Sequence, residues 1–419
     1  MSRPSRRAWI PLTVALALAV AAVIAVIAVT GGSGNPAGTG PSPGGPAGSN
    51  PHVVDALPLG PTAFPLSSTA KRYPLLKGPA NVIDSNPQAP IFPGGLIRLD
   101  DGTWIAAFQR RLTPTGQVST QPTGTIVARE GTDLLKPFGR ATQLSANDGP
   151  AGFDPDVVEL PDGKALVAWQ SQVGDHSGQM YAMRLGPNRY TPARVLFTDP
   201  GGGADESTVA RLYGHAYIVY AYHPNTRQSF LWDFRMREIS TGPRVGPPVT
   251  VATNAGGPGA QGVQRRATAA ETGVPGGIIV VWPQHATPVC QVDPQHPGGP
   301  KPGCGPRPVY GTISTDSGKT WGKPFEIYSF PGHDLIDPIA IEVAPNDLRV
   351  YFTVDRHLPE AAYVESSDHG KTWSTRHDVW FPPPVSPVHW SVVNDPKEGL
   401  VAYVNTRGLR NLITFVLGR

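Results

Sequence analysis

The chain carries one eight-residue pattern twice, as Ser314-Thr315-Asp316-Ser317-Gly318-Lys319-Thr320-Trp321 and as Ser366-Ser367-Asp368-His369-Gly370-Lys371-Thr372-Trp373. The pattern, S/T-x-D-x-G-K-T-W, suits a tight turn. Its Ser and Asp side chains can bond the backbone, its Gly supplies a positive φ, and its Trp can anchor the turn against a neighbouring layer. These are structural functions, so the pattern predicts architecture rather than chemistry.

The two copies resemble the Asp box of sialidase-type β-propellers. Their aspartates are 52 positions apart (368 − 316), a spacing suited to one four-stranded blade. The resemblance implies an all-β fold, a six-bladed sialidase-like β-propeller, over residues 71–419. The eight residues assigned to the two Asp boxes are Ser314, Asp316, Gly318, Trp321, Ser366, Asp368, Gly370 and Trp373.

A second, longer repeat supports six blades without reference to the Asp boxes. Each unit has an apolar strand, a tight turn and a second apolar strand that ends in an aromatic residue. In the first two units an Asp-Gly pair forms the turn. The six units are Leu96–Phe108, Val157–Trp169, Val209–Tyr220, Ala267–Trp282, Ile339–Phe352 and Val392–Tyr403.

Closure of the ring needs a strand from elsewhere in the chain. After the sixth unit only Leu412–Leu417 remains as an apolar run, enough for a third strand. Without a fourth strand the last blade keeps an open edge. Ala80–Asp84, just before the first unit, is the predicted closing strand; the alternative is a disordered lead-in.

The N-terminus predicts a membrane anchor. Residues 1–7 form a basic tail with Arg3, Arg6 and Arg7, and Ala8–Thr30 is an uncharged apolar segment long enough to span a bilayer. A cleaved signal peptide is the alternative, although its apolar region is usually shorter. Residues 31–70 read as a Gly/Pro-rich linker. We therefore expect a single-pass membrane protein whose N-terminus is cytoplasmic and whose propeller is extracytoplasmic.

The two cysteines suit an oxidising compartment. Cys290 and Cys304 lie in one Pro/Gly-rich insert of the fourth unit, and a disulfide between them is the predicted state. A metal site with His285 and His296 is the alternative, but two Cys without a C-x-x-C pair is a weak zinc signal. No cofactor is predicted. Ca²⁺ at Gly152–Asp156 is possible from the residue types, but the spacing matches no dedicated loop motif.

The charge balance argues against a nucleic acid partner. The chain has 35 Lys and Arg against 32 Asp and Glu. Without the three arginines of the basic tail the two totals are equal, and no basic block remains. A neutral propeller of this kind lacks the positive surface that nucleic acid binding requires.

Polar residues gather where the predicted inner strands begin and where the second strands end. These places converge on one funnel if the blade register is right. Carboxylates there suit sugar hydroxyls or acid–base work, and arginines suit a carboxylate; the alternative is a solvated rim of ordinary ion pairs. The candidate catalytic residues are Asp154, Asp156, Glu206 and Asp337. The candidate ligand-binding residues are Arg110, Arg265, Arg266, Arg356, His389 and Arg407.

The resemblance implies a catalytic set that this chain largely lacks. Sialidases of this kind carry the first of three substrate-binding arginines in a F/Y-R-I-P sequence, where this chain has Ile91-Phe92-Pro93-Gly94. The acid/base Asp should lie in the loop Gln109–Gly124, which contains no acidic residue. Arg265 or Arg266 matches the second arginine by position. Asp337 precedes the fifth unit, where the third arginine belongs, and His389-Trp390 stands where the Tyr nucleophile is expected.

Three functions remain open at this point. The first is a surface-anchored propeller that binds a glycan, a wall polymer or a protein without ordinary sialidase catalysis. The second is a glycoside hydrolase or lyase, exo-sialidase-like or other, with a divergent carboxylate and arginine set. The third is a structural scaffold of a membrane complex.

Overall fold

The strands of the chain form six antiparallel sheets, one for each predicted blade, in a computed structural model. The structure describes residues 52–53, 76–86, 90–111, 124–145, 152–224, 232–253, 266–284, 307–354, 360–381, 385–406 and 411–417. All of them belong to one compact unit, Pro46–Arg419; Met1–Gly45, which contains the whole predicted anchor and its basic tail, lies outside the described residues.

Six sheets follow one another along the chain, and each predicted hairpin supplies the first two strands of its blade. Two short N-terminal strands come first, β1 (His52–Val53) and β2 (Leu76–Ser85). Blade 1 contains β3 (Ile91–Arg98), β4 (Trp104–Arg111), β5 (Gly124–Gly131) and β6 (Thr142–Gln143). Blade 2 contains β7 (Phe153–Glu159), β8 (Ala165–Val173), β9 (His176–Gly186), β10 (Arg189–Tyr190) and β11 (Arg194–Phe197). Blade 3 contains β12 (Gly202–Leu212), β13 (His215–Pro224), β14 (Asp233–Ser240), β15 (Arg244–Val245) and β16 (Val249–Ala252).

The second half of the ring has simpler blades. Blade 4 contains β17 (Thr268–Glu271), β18 (Ile278–Pro283), β19 (Val309–Ser314) and β20 (Phe325–Tyr328). Blade 5 contains β21 (Leu335–Ala344), β22 (Asp347–Val354), β23 (Glu360–Ser366) and β24 (His377–Val379). Blade 6 contains β25 (Val385–Asp395), β26 (Gly399–Thr406) and β27 (Asn411–Leu417). The first strands of neighbouring blades contact one another around the ring, from β3 through β7, β12, β17, β21 and β25 back to β3.

The core consists of six apolar clusters, each between two successive blades. Successive side chains of a strand point to opposite faces of its sheet, so one strand serves two clusters. In β4, Ile105 and Ala107 face blade 2, whereas Ala106 and Phe108 face blade 6. This is why the second strand of each blade reads as a continuous apolar run rather than an alternating one.

The aromatic residue that ends each predicted unit is fully buried. In five blades it packs towards the preceding blade, through Phe108, Trp169, Tyr220, Trp282 and Phe352. In blade 6 the residue on that side is Val404, and Tyr403 packs instead against blade 1. The periodic aromatic signal is therefore one residue out of phase in the last blade.

Strand β2 closes the ring. It pairs antiparallel with β27 as the outer strand of blade 6, with Val82 opposite Ile413 and Asp84 opposite Leu412. The prediction of a closing strand at Ala80–Asp84 is confirmed. Strand β1 pairs with β6 at the outer edge of blade 1, so the described fold begins within the segment 31–70 that composition assigns to the linker.

A buried ion cluster fastens the closing strand to blade 1. Arg110 of β4 binds the Asp84 carboxylate through two hydrogen bonds, with Nε 2.9 Å from Oδ2 and Nη2 2.6 Å from Oδ1. Arg129 of β5 adds its Nε, 3.0 Å from Oδ1, and donates from Nη1 to the Gly139 carbonyl. The Asp84 side chain is fully buried. Two cations from blade 1 thus hold an anion that belongs to blade 6.

The two repeated turns, Ser314–Trp321 and Ser366–Trp373, have matching hydrogen bonds. The first residue's hydroxyl accepts from the Gly backbone N–H, at 2.9 Å in one turn and 2.8 Å in the other. The aspartate accepts from the backbone N–H and hydroxyl of the Thr four residues later. The residue before each Gly has a left-handed φ of 60° or 65°. Trp321 and Trp373 pack against the clusters between blades 3 and 4 and between blades 4 and 5.

No helix in the part of the chain that the structure describes is long and apolar enough to cross a membrane. The predicted anchor Ala8–Thr30 lies outside those residues.

Asp84→Asn should lower the free energy of unfolding by about 3–5 kcal/mol, because it leaves two buried arginines without their anion. Urea denaturation of the fragment 46–419 measures the change. Asp133→Asn is the control, since Asp133 forms an exposed pair with Lys136 and its loss should matter little. Equal effects of the two substitutions would contradict the closing role of Asp84.

Acid should weaken the first repeated turn. Hydrogen bonds from Thr320 and then Ser314 lower the pKa of Asp316 to about 2. The pKa in an unfolded chain is about 3.9. A pKa that is lower in the folded protein means that the carboxylate stabilises the fold above the unfolded value, and that this contribution is lost as the pH falls through the folded value.

The difference in urea midpoint between the wild type and Asp316→Asn should therefore narrow as the pH falls from about 5 to about 2. Asp368→Asn should behave in the same way, because its carboxylate makes the same contacts. A difference that stays constant across this range would show that neither aspartate stabilises its turn through its charge.

Candidate functional site

A channel of about 390 Å³ runs along the axis and is lined by the first strand of every blade. The two ends of the channel differ. At the end where the first strands finish, charges are paired between blades, as in Arg98 with Asp395 at 3.4 Å and Arg211 with Glu159. The other end, where the first strands begin, carries the predicted site residues.

Five of the first strands enter the channel through a β-bulge, where the pairing register with the second strand shifts. In blade 1 the first paired residue after the bulge is Leu96, and the other four bulges lie in blades 2, 3, 5 and 6. The first paired residues after these bulges are Asp156, Thr208, Ile339 and Ser391, and Thr268 begins β17 at the equivalent place. The residues two positions earlier form the mouth of the channel: Asp154, Glu206, Arg266, Asp337 and His389. The structure thus brings five of the predicted residues to equivalent positions in blades 2–6.

The backbone of the mouth is unusual. Asp154, Glu206, Asp337 and His389 have φ between 42° and 53°, the left-handed region that non-glycine residues rarely adopt. Each such residue costs on the order of 1 kcal/mol, and residues of this kind cluster at functional sites. At the bulge, the side chains no longer alternate between the two faces of the sheet as they do along the rest of the strand. Four blades therefore repeat the same strained backbone conformation at the mouth.

Asp156 and Arg266 form an ion pair across blade 3. Arg266 Nη2 lies 3.6 Å from Asp156 Oδ2, and both side chains are about 85 % buried, with exposed fractions of 15 % and 14 %. Burial raises the pKa of Asp156, while Arg266 and the backbone N–H groups of Val209 and Val157 oppose that rise. The guanidinium of Arg266 is therefore already paired with a carboxylate of the protein.

Asp156 also has a structural function that the sequence did not reveal. Its Oδ2 accepts from Val209 N at 3.0 Å, which ties blade 2 to blade 3. The equivalent Thr208 donates to the Ala267 carbonyl of the next blade, and Thr268 donates to Pro338 O and accepts from Ala340 N. This position therefore joins successive blades, and only in blade 2 is it ionisable.

Asp337 and His389 meet on the opposite side of the mouth. The His389 backbone N–H donates to Asp337 Oδ2 at 3.2 Å, and its Nδ1 lies 4.0 Å from the same oxygen. Phe92 contacts the imidazole edge-on, with ring centroids 5.4 Å apart. The side chains of Phe92 and His389 are half-buried, so an aromatic surface lies beside a carboxylate.

Asp154 and Glu206 complete the acidic side of the mouth. Glu206 is held by its backbone, which donates to Gln170 Oε1 at 2.9 Å, and Gln170 donates in turn to Asp205. The Asp154 carboxylate makes no hydrogen bond or ion pair with the residues that the structure describes. It is half-buried and directed by its left-handed backbone, so it can accept hydrogen bonds from a ligand without giving up a contact within the fold.

Of the two predicted arginines that the structure describes, Arg266 lies at the mouth and Arg110 does not. Arg110 is taken up by Asp84 at the closure between blades 6 and 1, as described above. Arg265, Arg356 and Arg407 lie outside the described residues, as do Cys290 and Cys304. Arg266 is thus the single predicted arginine that the described residues place at the mouth.

Two glycines explain why blade 1 adds no side chain to the mouth at the position equivalent to those of blades 2–6. A Cβ on Gly94 would lie 2.0 Å from the Pro155 carbonyl oxygen, and one on Gly95 would lie 2.0 Å from Asp156 Oδ1. Blade 1 approaches blade 2 too closely for any side chain here. Gly94, two positions before Leu96, is the blade 1 equivalent of the five mouth residues, so blade 1 contributes no side chain at this place.

Among the described residues, no group of three or more His, Cys, Asp or Glu side chains could hold a metal ion. Asp154 and Asp156, the acidic residues for which Ca²⁺ was considered, lie on opposite sides of Pro155 in the bulge. Asp156 already binds Arg266 and two backbone N–H groups.

Solved structures with the same architecture include two glycosidases. The NanB sialidase from Streptococcus pneumoniae, in complex with 2-[(3-chlorobenzyl)ammonio]ethanesulfonate, aligns with 82 % of this chain and 71 % of its own, at 10 % identity and a TM-score of 0.57. The GH93 α-L-arabinofuranosidase of Fusarium graminearum, in complex with arabinobiose, aligns with 81 % of this chain and 96 % of its own, at 14 % identity and a TM-score of 0.55.

The fold is a sialidase-like six-bladed β-propeller. A protein of unknown function from Dyadobacter fermentans has the same fold, at 14 % identity over 81 % of this chain and 97 % of its own, with a TM-score of 0.54. No family model matches the chain, and no curated protein sequence matches it either. At these identities the similarity establishes the fold alone.

Gly95→Ala should lower the free energy of unfolding by about 1–3 kcal/mol, because its new methyl group would press on Asp156 and Val157. Gly246→Ala is the control, since a Cβ there meets nothing closer than 3.6 Å. Thermal unfolding of the fragment 46–419 compares the two. If Gly95→Ala were as stable as Gly246→Ala, the close approach of blades 1 and 2 would not be what excludes a side chain.

Proposed function

We propose that this protein is a membrane-anchored, extracytoplasmic propeller that binds a neutral carbohydrate at the mouth of its channel and lacks ordinary sialidase catalysis. The observation that carries the proposal is the repeated mouth position, which places carboxylates from blades 2 and 3 at the same opening as the half-buried Phe92 and His389. Carboxylates accept hydrogen bonds from sugar hydroxyls, and an aromatic side chain offers an apolar surface to the ring.

The charge of the mouth favours a neutral ligand over an acidic sugar. Among the described residues the mouth carries three carboxyl side chains, Asp154, Glu206 and Asp337, whereas its one arginine is already paired with Asp156. A sialic acid carboxylate would meet more acids than bases here. The two repeated turns, whose hydrogen bonds match each other, support their assignment as Asp boxes, which are structural elements rather than catalytic ones.

The proposed location of the propeller outside the cytoplasm is based on the amino-acid sequence. The apolar segment Ala8–Thr30, preceded by Arg3, Arg6 and Arg7, supports a signal anchor with the propeller outside the cytoplasm. The pair Cys290 and Cys304 is consistent with the same compartment. A glycan or wall polymer at the cell surface is the ligand that this arrangement would reach.

A hydrolase is the second candidate, favoured by one observation. Burial raises the pKa of Asp156, as expected for a carboxyl group that acts as a general acid. The backbone contacts of Asp156 and its equivalence to Thr208 and Thr268 support a structural function instead. The two functions differ in turnover, which is measurable.

Asp154→Asn is the sharpest test of binding, because this carboxylate makes no hydrogen bond or ion pair with the other described residues and its removal should leave the fold intact. Asp162→Asn is the matched control: the same change in the same blade, at the turn between β7 and β8, where Asp162 pairs with Lys164. We expect titration calorimetry of the fragment 46–419 against neutral oligosaccharides, arabinobiose among them, to show saturable binding.

The affinity of Asp154→Asn should fall about tenfold or more, and that of Asp162→Asn should be unchanged. Equal affinities would remove the mouth from the binding site. Incubation with a fluorogenic sialoside and a panel of neutral glycosides should give no product. Turnover that Asp156→Asn or Arg266→Ala abolishes would replace the binding proposal with the hydrolase.

A further inference from the structure

A second pocket of about 420 Å³ lies far from the axis, between blades 3 and 4. It forms where the first repeated turn meets the outer strands of blade 3. We name it the interblade pocket, and the residues that matter here are Tyr213, Tyr217, Met236, Glu238 and Lys319. Its volume falls in the range of pockets that hold small ligands.

The floor and one wall of the interblade pocket are apolar and fixed. Gly318 of the repeated turn sits against Met236, so closely that a Cβ there would lie 2.8 Å from the methionine methyl group. Tyr217, near the start of β13, is 8 % exposed and lines the pocket. The Tyr213 hydroxyl donates to the Gly277 carbonyl at 2.9 Å, which holds that ring across the gap between the two blades.

The rim of the interblade pocket is polar and carries a carboxylate, Glu238, which can accept hydrogen bonds from sugar hydroxyls, and an ammonium group, Lys319, which can bind an anion. Glu238 pairs with His215, whose Nδ1 lies 2.8 Å from Oε1. The exposed Lys319 lines the pocket and forms no ion pair with any residue that the structure describes. A ligand with an apolar ring face and one negative charge would complement this surface.

We infer that the interblade pocket binds a hexuronate residue of an acidic glycan, with the sugar ring against Tyr217 and its carboxylate at Lys319. This inference concerns a different pocket from the mouth and an acidic rather than a neutral sugar, so it does not depend on the proposed function. Burial raises the pKa of the Tyr217 phenol, which stays protonated at neutral pH and can donate a hydrogen bond to the ligand. Two sites on one propeller would let it bridge two components of a mixed surface polymer.

The chain supplies a matched control for Lys319. Lys371 occupies the same position in the second repeated turn, is equally exposed, and does not line the interblade pocket. Lys319→Gln and Lys371→Gln are therefore the same change in the same local structure, with and without the pocket.

Saturation-transfer NMR of the purified full-length chain tests the inference, with zwitterionic micelles to hold its apolar N-terminal segment in solution. Glucuronate and galacturonate are the probes, and glucose is the neutral control. We expect at least one uronate to give saturable signals and glucose to bind at least about fivefold more weakly. Lys319→Gln should weaken uronate binding about fivefold to tenfold, and Lys371→Gln should leave it unchanged.

Three outcomes would overturn the inference: no uronate signal, glucose binding equal to uronate binding, or equal affinities of the wild type and Lys319→Gln. Asp154→Asn separates this result from the proposed function. This substitution should leave uronate binding unchanged while it lowers the affinity of the mouth for its neutral ligand, so either proposal can fail without the other.

Discussion

The contact between Asp84 and the two arginines of blade 1 is the interaction on which the rest of the ring depends. Six blades pack into six equivalent interfaces only if the first and last blades meet. The two blades meet through β2, which precedes blade 1 in the sequence but forms the outer strand of blade 6. Asp84 of β2 lies in the interface between them. Arg110 and Arg129 neutralise that buried carboxylate, so a strand distant in sequence becomes part of the common core.

Closure also determines what the channel can recognise. The sequence pattern predicts Arg110 near the mouth, but its guanidinium binds Asp84 between blades 6 and 1, and Arg266 is paired with Asp156. At the same time blade 1 approaches blade 2 so closely that Gly94 and Gly95 leave no room for a side chain between the two blades. Among the described residues, the packing that builds the ring therefore pairs Arg110 and Arg266 with carboxylates of the protein and leaves the mouth with more carboxyl groups than unpaired cations.

The architecture could be predicted from the sequence because its signals are local. The repeated turns, the six hairpins and the closing strand at Ala80–Asp84 are each specified by a few neighbouring residues.

The candidate site could be predicted only in part, because its contacts join residues that are far apart in the sequence. Nothing local pairs Arg110 with Asp84, or shows that Asp156 holds Val209, because both contacts join different blades. The equivalence of Asp154, Glu206, Arg266, Asp337 and His389 emerges only once the bulges fix the register. The anchor, the disulfide, and the roles of Arg265, Arg356 and Arg407 stay predictions.

The central claim is that a propeller closed in this way recognises a neutral sugar at the carboxylate-rich mouth of its channel. A crystal structure of the fragment 46–419 soaked with the oligosaccharide that binds it most tightly is the most direct measurement. The account predicts sugar density at the mouth, with hydroxyl groups within hydrogen-bond distance of Asp154 and a ring against Phe92. A sugar bound elsewhere on the propeller, with the mouth unoccupied, would contradict it.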